Sequence, residues 1–288
     1  MSATLAILGP GVLGLSTAQW AAECGLETRL LGRDRDHAEA GLQEVHRRWH
    51  RAVAKDRMAP ETRDRCMERL SAAAFSASAL EGASAFLEAL PEAPELKAPV
   101  LAAAVNWGSP DLLLLSGTSA LPITDLACRA GAVGRLLGFH LFVPVPRMAV
   151  VEMAVPEGTP QSWVDRARSM GSDLRKRVVQ VRDQPGFAAA RMALAQGLEA
   201  IRLVEAGAAS AEDLDALLTL GYGHPVGPLE LSDRIGLDLR LRIAEGLFAS
   251  GEHRFAPPEL LQSKVAKGQT GLRTGQGFYA WTSTRRRS

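Results

Sequence analysis

A hydroxyl, an imidazole and a carboxylate follow one another through the middle of the chain, in Ser116-Gly117-Thr118-Ser119, Gly138-Phe139-His140-Leu141-Phe142 and Val150-Val151-Glu152-Met153. An imidazole with a carboxylate at hand can carry a proton in either direction near neutral pH. A histidine inside Gly-Phe-His-Leu-Phe equally suits a satisfied core residue, and periodicity does not choose between the two. Each polar residue stands at the end of, or just beyond, an apolar run. In an open α/β sheet that edge is where ligands and chemistry gather.

A second pattern lies near the N-terminus, where Gly9-Pro10-Gly11-Val12-Leu13-Gly14 directly follows the apolar run 4–8 and opens a helical pattern over 15–24. Gly-x-Gly-x-x-Gly carries meaning in that context. Gly9 permits the tight turn, Gly11 lets a pyrophosphate approach the backbone, and Gly14 lets helix and strand pack closely. The helix start at Val12 and Leu13 adds unpaired N–H groups and a partial positive charge for the phosphates. The expectation is a bound dinucleotide.

The end of the second strand decides which one, since an acid there would accept hydrogen bonds from an NAD ribose. This chain offers Gly32-Arg33-Asp34-Arg35. A small residue followed by arginines removes repulsion from a 2′-phosphate and supplies forked donors for it, which favours NADP. NAD stays open, with Asp34 on the ribose and Arg33 and Arg35 merely solvated.

The elements that would position these residues read as follows. Strand, glycine turn, helix and a second apolar run at 28–31 complete a βαβ unit. Residues 36–73 read as two long charged helices broken near Pro60, and further strands are expected at 83–87, 112–115, 136–139 and 178–181. Strands alternating with helices make a doubly wound, Rossmann-type α/β domain over residues 1–183. After Asp183-Gln184-Pro185-Gly186 the character changes to helical patterns at 187–206, 211–220 and 229–250, so 184–288 is expected to be an all-helical domain. The site is expected in the cleft between the two.

Composition narrows the classes. The 288 residues carry 33 Lys+Arg against 32 Asp+Glu, a net charge of +1, and lack the sign excess of a dedicated nucleic-acid binder. The tail Arg285-Arg286-Arg287 reads as a solvated end. No apolar stretch suffices for a bilayer span and no basic leader precedes the first one, so neither membrane span nor export signal is expected. Cys24, Cys66 and Cys128 are odd in number and share no close spacing. They suit small buried hydrophobes in a reducing cytoplasm. The histidines and cysteines show no metal-ligand spacing, and no metal is expected.

Taken together, the chain resembles the 3-hydroxyacyl-CoA dehydrogenase family over nearly its whole length. The resemblance rests on the glycine turn at 9–14, Glu88-Ala89-Leu90-Pro91-Glu92, Thr118-Ser119-Ala120-Leu121-Pro122-Ile123, Gly138-Phe139-His140 with Pro144-Val145-Pro146 and Val151-Glu152, Pro185-Gly186-Phe187, Gly223-His224-Pro225-Val226-Gly227-Pro228 and Thr274-Gly275-Gln276-Gly277-Phe278-Tyr279. It implies reversible hydride transfer between a nicotinamide cofactor and C3 of a 3-hydroxyacyl thioester, in fatty acid metabolism. By the same resemblance His140 is the acid/base, Glu152 orients it and stabilises its cation, and Ser119 hydrogen-bonds the reacting oxygen. Glu92 and Lys97 are placed near the nicotinamide half of the cofactor and Lys55 near the CoA moiety, although a solvated helix face serves equally well for Lys55. A homodimer built on the helical domain is implied too.

The chain departs from that pattern at three positions where the family carries asparagine: Gly117, Val143 and Ala190. Loss of one such preorganised donor typically costs about 10²–10³ in rate. Two expectations follow: a dehydrogenase acting on a non-standard acyl group, or one carried on an acyl carrier protein, and a catalytically impaired dinucleotide-binding homologue.

Overall fold

The computed structural model describes residues 4–282 and the backbone of 285–286. The chain divides into two compact units, Met1–Phe187 and Ala188–Ser288.

The first unit runs β1 (Thr4–Leu8), α1 (Val12–Cys24), β2 (Glu27–Gly32), α2 (Arg35–Val53), α3 (Pro60–Glu68), β3 (Leu70–Ala74), α4 (Ala77–Leu80), β4 (Ala85–Glu88), α5 (Pro94–Trp107), β5 (Leu113–Ser116), α6 (Ile123–Ala130), β6 (Leu136–Leu141), β7 (Val150–Val155), α7 (Gln161–Asp173) and β8 (Arg177–Arg182). The strands form one sheet in the order β3-β2-β1-β4-β5-β6-β7-β8. Its first six strands are parallel in the order of a dinucleotide-binding fold, whose strand order reverses between β1 and β4. Alternate side chains along each strand feed two cores. Leu5 and Ile7 pack with α1, α2 and α7 residues such as Ala18, Trp49 and Met170 on one face, while Ala6 and Leu8 pack with α5 and α6 residues such as Leu101 and Leu126 on the other.

Two strands differ from the expectation. Residues 70–73, expected to end a charged helix, belong to β3: the Leu-Ser-Ala-Ala-Ala run has little β propensity, but pairing with β2 from Thr28↔Leu70 to Gly32↔Ala74 overrides it. β7, absent from the expected strands, pairs antiparallel with β6, so β7 and its parallel neighbour β8 run against the other six. Cys66 is buried and Cys24 half-buried, whereas Cys128 is exposed and is no core residue.

The second unit contains α8 (Ala189–Glu205), α9 (Ala211–Ala216), α10 (Pro228–Ile235), α11 (Leu237–Ala249) and α12 (Glu259–Ala266) around one core that includes Leu194, Leu198, Ile201, Leu229 and Trp281. The amphipathic pattern over 229–250 is carried by two helices, α10 and α11, which Gly236 at φ +105° separates. Among the described residues the unit is helical apart from a short ladder pairing β9 (Trp281–Thr282) with β10 (Arg285–Arg286) and two isolated bridges, Gly271↔Gln276 and Gln276↔Ala280. Arg287 and the side chains of Arg285 and Arg286, read as a solvated tail, lie outside what is described. Asp233 ties the C-terminal segment to α10: its carboxylate accepts from Phe278 N, Tyr279 N and Trp281 Nε1, each at 2.9 Å. Among the described residues no helix is long and apolar enough to cross a membrane.

Candidate active site

The C-terminal ends of β1, β4, β5 and β6 deliver the candidate residues to one edge of the sheet, because parallel strands must all finish on the same side. After β1 the chain turns at Gly9, with φ +111°, where a Cβ would stand 2.7 Å from the Ala89 carbonyl oxygen. Gly14 sits so close that a Cβ would overlap the Gly9 carbonyl. Gly11, at the N-cap of α1, has open space where its Cβ would be. Strand, turn and helix are thus pressed together while the backbone before α1 remains open, the form a bound pyrophosphate requires.

At the end of β2, Gly32 leaves no room for a side chain, a Cβ there meeting Ala38 N at 2.6 Å. Asp34 is the N-cap of α2. Its carboxylate accepts from His37 N at 2.7 Å and from Arg33 Nε at 3.1 Å, and these bonds hold it below the usual aspartate pKa. Arg35 pairs with Glu39 at 2.7 Å, and the Arg33 side chain is 81% exposed.

The ends of β4 and β5 hold a buried polar network. Lys97 Nζ donates to both Glu88 oxygens, at 2.8 and 3.1 Å, and to the Leu90 carbonyl at 2.9 Å. Ser116 Oγ donates to Glu88 at 2.7 Å. Lys97 also stands 3.5 Å from Glu92, whose other oxygen accepts from Thr118 Oγ1, Ser119 N, Ser119 Oγ and Ala120 N at 2.6–3.3 Å. Glu92 therefore organises the loop that carries Ser119. Glu88 and Ser116 stand in motifs quoted from the sequence but carry no role there, although a glutamate at the end of the apolar run Ala-Phe-Leu was the available signal: a carboxylate buried as an ion needs a cation or hydrogen-bond donors.

His140 lies near the end of β6, directly opposite Glu152 in the antiparallel register, with Nδ1 2.9 Å from Glu152 Oε2. A carboxylate only accepts, so Nδ1 carries the proton and Nε2 is the ring's accepting nitrogen. The Phe142 ring covers the imidazole at a centroid distance of 4.4 Å. His140 and Glu152 are thus brought together, as are Ser119, Glu92 and Lys97. The Ser119 hydroxyl is turned to Glu92 rather than to His140.

Other positions fall further out. Lys55, expected on a helix, lies in the turn after α2 and is exposed. Val143 is exposed in the loop after β6, and Ala190 is half-buried in the first turn of α8. A Cβ on Gly117 would stand 2.7 Å from Cδ2 of the half-buried Leu13 and 3.1 Å from the Glu88 carbonyl oxygen, so a side chain there would press on both.

Comparison with known proteins bears on this geometry. Residues 4–184 match the family described as 3-hydroxyacyl-CoA dehydrogenase, NAD binding domain, and residues 186–281 match its C-terminal domain. The chain is 33% identical to 3-hydroxybutyryl-CoA dehydrogenase from Mycobacterium tuberculosis, covering 96% of this chain and 97% of that protein. It is 32% identical to the mitochondrial hydroxyacyl-coenzyme A dehydrogenase of Sus scrofa, over 96% and 90%. The crystal structure of (S)-3-hydroxybutyryl-CoA dehydrogenase from Ralstonia eutropha superposes with a TM-score of 0.93 at 29% identity, covering 98% of this chain and all of that one.

Proposed function

Because the chain belongs to the 3-hydroxyacyl-CoA dehydrogenase family, we propose that it is a nicotinamide-dependent oxidoreductase moving hydride between its cofactor and C3 of a 3-hydroxyacyl or 3-oxoacyl thioester. The observation that carries this reading is the His140–Glu152 pair, 2.9 Å apart at the sheet edge that also bears the glycine turn. The bound nicotinamide supplies the hydride acceptor or donor. In oxidation His140 Nε2 takes the C3 hydroxyl proton; in reduction it returns one to the C3 oxygen. Glu152 holds the ring through Nδ1 and stabilises its cation, which forms only when the proton has moved. Ser119 rotates from Glu92 to hydrogen-bond the C3 oxygen.

Gly9, Gly11, Val12, Leu13 and Gly14 hold the pyrophosphate, Glu92 and Lys97 lie at the nicotinamide half, and Lys55 meets the CoA tail. NADP is the preferred cofactor. The support is at β2: Gly32 has no side chain to offer a ribose, Asp34 is occupied in capping α2, and Arg33 is exposed. Residues 1–183 serve the cofactor and 184–288 the substrate and a homodimer contact. The exposed Met192, Leu217, Leu220, Tyr222 and Phe248 of the helical unit support the dimer.

A second reading is favoured by the crowding at Gly117, where even a Cβ would meet Leu13 Cδ2 at 2.7 Å and the Glu88 carbonyl oxygen at 3.1 Å. There the substrate is a non-standard acyl group or one on an acyl carrier protein, or turnover is impaired. One experiment separates the readings: reduction of acetoacetyl-CoA with NADH and NADPH by wild type and His140→Ala. Turnover lost in the variant supports the first; cofactor binding without turnover on CoA thioesters supports the second.

A further inference from the structure

Lys176 is a buried cation that the reaction does not use. It lies in the turn between α7 and β8, only 6% exposed, and burial pushes its pKa below the usual lysine value. Its Nζ donates to the Val145 carbonyl at 2.6 Å and the Met148 carbonyl at 2.7 Å, and sits 4.3 Å above the Trp20 ring. Burying an ammonium is costly, and a hydrophobic side chain would fill this space at less cost unless the contacts themselves matter.

Both carbonyls belong to the loop 142–149 that joins β6 to β7. The same loop is gripped from α1, where Ser16 Oγ accepts from Val145 N at 2.9 Å, and from the start of β8, where Arg177 N donates to the Ala149 carbonyl at 2.8 Å. His140↔Glu152 is the second rung from the loop, Leu141↔Val151 being the last. Phe142, the first loop residue, is the ring that covers the imidazole. Freedom in this loop therefore reaches the His140–Glu152 pair through one rung and one ring contact.

We propose that Lys176 is a positioning residue for hydride transfer: by clamping the Val145 and Met148 carbonyls it fixes the β6–β7 connection, and with it the setting of His140 against Glu152. The inference rests on the reading of His140 as the acid/base. Misplacing a catalytic group by about 1 Å can cost about 10²-fold in rate while leaving distant binding contacts intact.

The test is Lys176→Met, which keeps length and removes the donors, beside Lys176→Arg, which keeps charge and donors. For acetoacetyl-CoA reduction, Lys176→Met is expected to lower kcat about tenfold or more, with the thioester KM and cofactor Kd within about twofold, and Lys176→Arg to recover part of the loss. The imidazole Nδ1 proton resonance, assigned by its absence in His140→Ala, should shift or broaden in Lys176→Met, a readout independent of turnover. Unchanged kcat and an unchanged resonance would overturn the proposal, as would equal losses in the Met and Arg variants. If Lys176→Met fails to fold, Ser16→Ala loosens the same loop from α1, and an unmoved resonance and kcat there overturn it equally. An active His140→Ala enzyme would instead remove the reading beneath the proposal; an inactive one beside fully active Lys176→Met removes the proposal alone.

Discussion

His140 and Glu152 are direct partners across the antiparallel β6–β7 ladder, which puts both side chains on one face of the sheet and Nδ1 2.9 Å from Oε2. Their separation of twelve positions is that of a hairpin: Leu141 on β6, the eight-residue loop 142–149, and Val150 and Val151 on β7 lie between them. This pairing fixes the imidazole tautomer without a bound ligand.

His140→Ala should lower turnover by about 10²–10⁴ with cofactor affinity unchanged, because the proton transfer loses its carrier and the glycine turn is untouched. Glu152→Gln should lower kcat more than it changes KM, since an amide can present its NH₂ to Nδ1 and hold the ring by the wrong tautomer. Steady-state kinetics with parallel cofactor titration by fluorescence checks both.

Arg33→Ala should cut the ratio of kcat/KM with NADPH to that with NADH by about 10–100-fold, the worth of one or two hydrogen bonds to a charged group. Asp34 and Arg35 should not compensate, being committed to the α2 N-cap and to Glu39. An unchanged ratio would count against a 2′-phosphate at this position.

Gly14→Ala should abolish dinucleotide binding in a protein that still folds in its helical unit. The added methyl overlaps the Gly9 carbonyl, so turn and helix must separate. Isothermal titration with the cofactor, set beside circular dichroism, reads the two effects separately.

Gly117→Asn should not restore a standard site by itself, because the new Cβ meets Leu13 Cδ2 at 2.7 Å and the Glu88 carbonyl oxygen at 3.1 Å. Overpacking of this kind costs about 1–3 kcal/mol. Shortening the neighbour in Leu13→Ala/Gly117→Asn should recover stability relative to the single variant, and thermal melts of the four proteins in the cycle measure the coupling.

Asp233→Asn should destabilise the helical unit by about 1–3 kcal/mol. Both carboxylate oxygens accept N–H groups, whereas an amide turns an NH₂ against one of them. Urea denaturation followed by tryptophan fluorescence, with Trp281 inside this cluster, reports the loss.

The sequence by itself determined the glycine turn, the order of strand and helix through most of the first unit, and the helical character of the second. These are local properties: a Gly-x-Gly-x-x-Gly between an apolar run and a helix makes a tight turn whatever its neighbours, and apolar periodicity survives without knowledge of them. The polar residues at strand ends were visible too, as were Arg33 and the empty side chain at Gly32. Tertiary structure alone decided what local signals cannot carry. β3 is a strand because β2 lies beside it, since its alanines have no preference strong enough to insist on a helix. β7 reverses direction, and that reversal sets His140 against Glu152. Glu88, Lys97, Ser116 and Glu92 become one network only when β4 and β5 align, and the Lys176 clamp joins residues about thirty positions apart. Buried charge is where the two levels part: a sequence shows that a lysine or glutamate is present, and only the packed chain shows which oxygen or nitrogen it must satisfy.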